Sequence, residues 1–151
     1  PTNINILTFD VGSNNSIVKG LKFAHPLNNN ANTAVMVNTG VQNMVISDNF
    51  FLNGKSTVII AGSNNLFTNN VMDFSYNAIE LNGSNNSATF NTIKNIQQTG
   101  NPFTSGTAIF FSGTSLNVNF NDISGADRGV FSSSSNCLLR RSRNFGPSNI
   151  I

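Results

Sequence analysis

A short turn, Gly-Ser-Asn-Asn, recurs along the chain and constrains its fold more than any other feature of the sequence. Three copies match this pattern and three are looser, at residues 12–15, 40–43, 62–65, 83–86, 113–116 and 134–137. A second landmark follows each turn from the second copy onward, at Asn49, Asn70, Asn91, Asn121 and Ser142. Because the two landmarks keep the same spacing, with one longer interval before Asn121, the chain consists of copies of one unit of about 21 residues.

Short segments with alternating side chains lie before the turns. They are rich in β-branched and aromatic residues, at residues 35–37, 58–60, 79–81, 109–111 and 130–132. A period of two with this composition predicts β-strands. Asn, Ser, Thr and Gly interrupt every window that could form a helix. The repeating unit is therefore strand, turn, strand, bend, strand.

A unit of this size cannot bury its apolar face alone, so successive copies must stack. Stacking in register predicts an all-β fold, a right-handed parallel β-helix (β-solenoid) with about six coils of about 21 residues each. Residues 1–151 are expected to form a single β-helix domain, either complete or a segment of a longer solenoid.

In-register stacking places equivalent residues above one another in ladders. Two apolar ladders are expected in the core: Val35, Val58, Ile79, Ile109 and Val130, and Val18, Ile46, Phe67, Ala88, Val118 and Leu139. A third ladder, of amides, is expected at a bend, at Asn49, Asn70, Asn91 and Asn121. Asn tolerates left-handed backbone angles, and its side chain can bond to the coils above and below. The role expected for this ladder is structural.

The pattern Asn-Asn-x-apolar-x-x-Asn-x-apolar at residues 64–72 and 85–93 resembles the parallel β-helix repeats of the pectin-lyase-like superfamily. The resemblance covers roughly residues 12–145. That superfamily includes polysaccharide lyases, periplasmic copper-maturation β-helices and phage tailspikes. The resemblance implies the fold and leaves the function open, because the repeated residues belong to the scaffold. None of the catalytic motifs of the superfamily is present.

Composition excludes several classes of protein. Charged residues are 9 % of the chain and the net charge is +2, whereas the 151 residues include 29 Asn, 18 Ser and 12 Thr. The sequence has no basic stripe of the kind that binds nucleic acid. It also has no run of 18 apolar residues, which a membrane-spanning helix would need. Cys137 and His25 are the single residues of their types, so we expect no metal and no cofactor. We expect His25 to lie at the surface.

One outward position of the repeat carries residues that are unusual for a solenoid surface. We call it the outer column, and its members are Met36, Ile59, Glu80, Phe110 and Phe131. Contiguous apolar surface often marks a contact site, and aromatic faces can pack on sugar rings. A shift of the strand by one residue would turn the same side chains inward. Glu80 is the candidate catalytic carboxylate, but no second group accompanies it for acid and base chemistry.

Three departures from the repeat are further candidates. The last copy carries Arg140, Arg141 and Arg143, which predict either a solvated end of the solenoid or an anion-binding patch. Insertions at residues 25–32 and 97–105 predict loops that protrude from it.

These features predict a non-catalytic β-solenoid that is secreted, displayed on a cell surface or part of a phage particle. It would serve as an adhesin, a stalk or a carbohydrate-contacting module whose partner is a polysaccharide or other glycan. One alternative is a polysaccharide lyase or hydrolase centred on Glu80. Another is a structural protein that assembles into trimers or filaments with other copies of itself.

Overall fold

The computed structural model of the protein describes residues 5–25, 33–97, 106–133, 137–140 and 143–145. These residues form strands joined by turns and bends, with no helix among them, so the all-β prediction is confirmed for the described part. The strands, in chain order, are β1 (Asn5–Phe9), β2 (Ile17–Lys19), β3 (Lys22–Ala24), β4 (Thr33–Val37), β5 (Val45–Ser47), β6 (Phe50–Ile60), β7 (Leu66–Thr68), β8 (Val71–Leu81), β9 (Ser87–Thr89), β10 (Thr92–Lys94), β11 (Thr107–Phe111), β12 (Leu116–Asn119), β13 (Asp122–Ser124), β14 (Arg128–Ser132), β15 (Cys137–Arg140) and β16 (Arg143–Phe145). Because no described segment is helical, none is a helix that could cross a membrane.

The strands form two parallel sheets. One sheet has six strands in the order β15-β12-β9-β7-β5-β2. The other has ten, in the order β1-β4-β6-β8-β10-β13-β16, with β3 paired to β6, β11 to β8 and β14 to β11. Every pairing between the described strands is parallel. The parallel character that the repeat predicts is therefore confirmed.

The register of the sheets matches the period of the sequence. In the six-stranded sheet Ile46 pairs with Phe67 and Phe67 with Ala88, so each partner lies one repeat further along the chain. Ala88 then pairs with Val118 across the longer interval of the sequence. Both predicted apolar ladders are in register and buried, apart from Val130, which is half-buried, and Leu139, whose side chain lies outside the described part.

The bends on either side of the short strand β7 have the same arrangement of two adjacent asparagines. The first asparagine of each Asn-Asn pair has a positive φ, 58° at Asn64 and 55° at Asn69, and its side chain is exposed. The second asparagine, Asn65 or Asn70, is buried. The expectation that the Asn49–Asn121 ladder itself takes the left-handed conformation is therefore wrong. The preceding residue takes it, and this leaves the ladder amides inside the stack.

The buried amides satisfy backbone groups of the preceding unit of the repeat. Oδ1 of Asn70 accepts from the backbone N–H of Asn49 at 3.0 Å, and Nδ2 of Asn70 donates to the carbonyl of Ile46 at 2.9 Å. Asn91 and Asn121 repeat this arrangement. A second ladder, which the sequence analysis missed, joins Asn65 to Asn86 through a backbone N–H to Oδ1 bond of 2.9 Å. Such bonds matter because an unsatisfied buried polar group is costly.

Candidate functional site

The outer column lies on five neighbouring strands of the ten-stranded sheet. Its members are paired in register along β4, β6, β8, β11 and β14: Met36, Ile59, Glu80, Phe110 and Phe131. All five side chains are half-buried, whereas the residues on both sides of Glu80, Ile79 and Leu81, are fully buried. Alternation along a strand therefore places the column on the outer face of the sheet.

Aromatic rings occupy one end of the outer column. The ring centroids of Phe110 and Phe131 are 5.8 Å apart, and the two rings are inclined by 17°. The guanidinium of Arg128 lies over the Phe131 ring, with its central carbon 5.1 Å from the ring centroid. The two rings are therefore stacked, and the Arg128 cation packs against the Phe131 ring. The quadrupole of the aromatic ring favours this cation contact.

Glu80 interrupts the apolar character of the outer column. Its Oε1 accepts hydrogen bonds from the hydroxyl of Ser56 and from Nδ2 of Asn77, the latter at 3.5 Å. Its in-register neighbours are Ile59 on one side and Phe110 on the other. The two ion pairs of the described residues, Lys19–Asp48 and Lys94–Asp73, do not include it. The carboxylate is therefore held by two uncharged donors beside apolar side chains.

A row of polar side chains, amides and hydroxyls with one carboxylate, runs beside the outer column, two residues further along most of the strands. We call it the polar row; it comprises Asp10, Asn38, Asn82, Ser112 and Ser133. The hydroxyl of Ser112 donates to Oδ1 of Asn82 at 2.9 Å, and Nδ2 of Asn38 donates to Oδ1 of Asp10. Ala61 holds the equivalent position after β6. The sequence analysis missed this row, although the period of two, extended past each strand, could have found it.

The described part of the structure does not bring the three candidate arginines together. Arg140 ends β15 and pairs with Asn119 in the six-stranded sheet, whereas Arg143 begins β16 and pairs with Asp122 in the ten-stranded sheet. Arg141 lies outside the described residues, as do the side chains of Arg140 and Arg143. Most of each predicted insertion, residues 26–32 and 98–105, also lies outside them.

His25 is buried, with 6 % of its surface exposed, so the expectation of a surface histidine is wrong. It follows β3, and its backbone N–H donates to the carbonyl of Leu52 at 3.0 Å, while Nδ2 of Asn53 donates to its carbonyl at 2.8 Å. These bonds attach the residue to the edge of the sheet. Burial lowers the pKa of the His25 imidazole, because a desolvated ring disfavours the charged form.

A second pair of stacked aromatic rings lies at a bend, away from the outer column. The rings of Phe90 and Phe120 are 4.9 Å apart between centroids, and 57 % and 43 % of these residues are exposed. Both have a positive φ of 56°. The sequence analysis did not single out this pair. It supplies a matched control for the aromatic residues of the outer column.

Among the described residues, no group of three or more His, Cys, Asp or Glu side chains could hold a metal ion. Comparison of the chain with family models, with curated proteins and with solved structures gives no match. Function is therefore inferred from the geometry of the outer column and the polar row.

Proposed function

We propose that the protein is a carbohydrate-contacting module, secreted or displayed on a surface, that holds a polysaccharide against the outer column. The observation that carries this proposal is the in-register apolar and aromatic column with a polar row directly beside it. The role is contact with the polysaccharide and not its turnover.

Sugar rings have apolar C–H faces and a rim of hydroxyl groups. The side chains of Phe110 and Ile59 offer apolar surface for the faces, and Asn82 and Ser112 offer donors and acceptors for the rim. Because equivalent residues recur one strand apart, about 4.8 Å, an extended polysaccharide running across the strands meets the same two kinds of surface repeatedly.

The finer fold assignment is part of the same proposal. We propose that the two parallel sheets are faces of one right-handed parallel β-helix of about six coils, similar to those of the pectin-lyase-like superfamily. Support comes from the chain itself, which passes alternately through the two sheets, and from strand pairings that follow the period of the repeat. An experimental structure would test the handedness and the number of coils, and left-handed connections would contradict this assignment.

Binding is tested with variants of matched chemistry on two surfaces. Native gel electrophoresis through gels containing galactomannan, xylan or dextran measures retardation of the folded protein. We expect Phe110→Leu to weaken retardation at least about fivefold, because loss of a ring from a sugar contact costs roughly 1 kcal/mol or more.

Phe120→Leu is the matched control, since it removes an exposed stacked ring from the bend instead. It is expected to bind as the wild type does. Retardation that is lost in Phe120→Leu and kept in Phe110→Leu would contradict the assignment of the outer column.

Glu80 favours a second candidate, a polysaccharide lyase or hydrolase, because it places a carboxylate on the same surface. Release of unsaturated or reducing ends from pectate, alginate and the uncharged polysaccharides tests this candidate. Turnover by the wild type that Glu80→Gln abolishes would support it. Turnover that Glu80→Gln leaves unchanged would remove Glu80 as its centre.

A further inference from the structure

We infer that Glu80 makes the outer column selective for uncharged polysaccharides over acidic ones. This inference rests on the proposed function, and it concerns which class of polysaccharide the surface accepts.

Glu80 is the member of the outer column that packing alone does not explain. A half-buried carboxylate between Ile59 and Phe110 is less favourable than an apolar side chain in that position. Residues that break a local rule in this way are expected at functional sites. The ion pairs of the described residues leave its charge uncompensated.

The carboxylate is oriented and retains one oxygen for a ligand. Both of its hydrogen bonds, from Ser56 and Asn77, end on Oε1. Oε2 accepts none from the described residues and can accept from a ligand hydroxyl. A carboxylate held by two donors on one oxygen is therefore a positioned acceptor on the other.

The neighbouring ring determines where a sugar meets this acceptor. Phe110 stacks with Phe131 on one side, and on its other side the next residue of the column is Glu80. A sugar ring that contacts the exposed edge of Phe110 on that side lies beside the carboxylate. Its hydroxyls can donate to Oε2, whereas the carboxylate of a uronic acid would meet a like charge.

Arg128 does not reverse this preference at Phe110. Its guanidinium packs over Phe131, which lies one strand further from Glu80 than Phe110 does. The charge nearest to a sugar on the Glu80 side of Phe110 is therefore negative. Two like charges about one strand spacing apart weaken binding by about fourfold even at the dielectric constant of water, and by more at a protein surface.

The test compares wild type, Glu80→Gln and a charge control, Asp122→Asn, for binding to galactomannan and to polygalacturonate at low ionic strength. Glu80→Gln keeps the shape and an acceptor oxygen and removes the charge. We expect it to bind polygalacturonate about tenfold more tightly than the wild type does, with galactomannan affinity changed less than about threefold. Asp122 is an exposed carboxylate on β13, so Asp122→Asn changes the net charge equally and is expected to alter neither affinity.

The outcomes separate the inference from the function on which it rests. Galactomannan binding by the wild type, with polygalacturonate affinity unchanged in Glu80→Gln or raised equally in Asp122→Asn, would overturn the inference and leave the proposed function standing. If none of these proteins binds any of the polysaccharides, both are overturned.

A second measurement distinguishes a ligand contact from a structural role. Glu80→Ile completes the apolar column beside Ile59 and Phe110, and we expect it to raise the Tm by about 2–5 °C while weakening galactomannan binding at least about fivefold. A lowered Tm together with unchanged galactomannan binding would mean that Glu80 serves the fold, and the inference would be wrong.

Discussion

At the scale of single residues, two adjacent asparagines in a bend have different structural roles. Asn69 supplies a left-handed backbone with φ 55° and an exposed side chain, whereas Asn70 supplies a buried amide bonded to the backbone of Asn49 and Ile46, one repeat earlier. The identical residue type hides this difference in the sequence. The physical reason is that the left-handed conformation bends the chain sharply at one residue, and the side chain of the next residue is buried.

This division of roles predicts a large loss of stability at one position and almost none at its neighbour for the same substitution. Asn70→Gly removes the acceptor for the Asn49 N–H and the donor to the Ile46 carbonyl, so we expect a loss of about 3 kcal/mol in the free energy of unfolding. Asn69→Gly, the control, keeps a residue that tolerates positive φ, and we expect a change below about 0.5 kcal/mol. Urea denaturation measures both. Equal losses in the two variants would contradict the assignment.

Burial of His25 predicts a pH-dependent stability. Its pKa in the folded protein lies below the ordinary value of 6.5, so the unfolded chain binds a proton that the folded chain does not bind. The free energy of unfolding should therefore fall as the pH drops below about 6.5 and level off below the folded pKa.

His25→Gln isolates this contribution, because the carboxylates are common to both proteins. We expect the stability of the wild type relative to His25→Gln to be constant above about pH 7.5 and to decrease between about pH 7 and pH 5. Chemical denaturation across this range measures the difference. A difference that does not vary with pH would show that the imidazole titrates normally.

At the scale of the element, three-residue strands such as β5, β7 and β9 persist because parallel neighbours pair them on both sides. Phe51 of β6 packs against Phe23 of β3, with centroids 4.8 Å apart, and against Phe67 of β7, 5.9 Å away. The last contact joins the ten-stranded sheet to the six-stranded one. Each short strand is therefore stabilised by pairing and by the shared core, and not by its own length.

Successive turns also approach each other closely enough to require glycine. A Cβ atom on Gly83 would lie 1.8 Å from the carbonyl oxygen of Gly62, and one on Gly113 would lie 1.7 Å from that of Gly83. Backbone atoms cannot yield as a flexible side chain does. At Gly62, Gly83 and Gly113 the glycine is therefore a packing requirement between neighbouring units.

We expect Gly83→Ala to lower the free energy of unfolding by about 3 kcal/mol or more, because the methyl group forces two backbones apart. Ser84→Ala, one residue later in the same turn, is the control and should cost less than about 1 kcal/mol. Thermal and urea unfolding measure both variants. A Gly83→Ala protein as stable as the control would mean that the turns are not stacked as closely as the structure has them.

At the scale of the whole molecule, the period of the sequence predicted which residues share a column. It did not predict where a strand continues through a bend. The regular spacing of the repeat and the alternation around Val58 and Ile79 suffice for the apolar ladders. Sequence alone did not predict that β6 and β8 each run for 11 residues through Asn53 and Phe74, both of which have positive φ. Tertiary pairing overrides the local preference there.

The candidate site, like the fold, could be predicted only in part from the sequence. The outer column followed from the period, because its members occupy one position of the repeat. The hydrogen bond from Ser56 to Glu80 did not, since its donor comes from the neighbouring strand 24 residues earlier. The polar row was not predicted, because its residues lie just past the ends of the strands and the apolar alternation that marks a strand does not include them.

We propose that side chains held in register on the outer face of the ten-stranded sheet form one polysaccharide-contacting surface. Amide chemical-shift mapping of the folded protein, titrated with galactomannan and xylan oligosaccharides, tests it most directly. We expect the shift changes to cluster at Ile59, Glu80, Phe110 and Phe131 and to extend to Asn82 and Ser112. Changes centred on Phe90 and Phe120 instead, or none with either oligosaccharide, would contradict it.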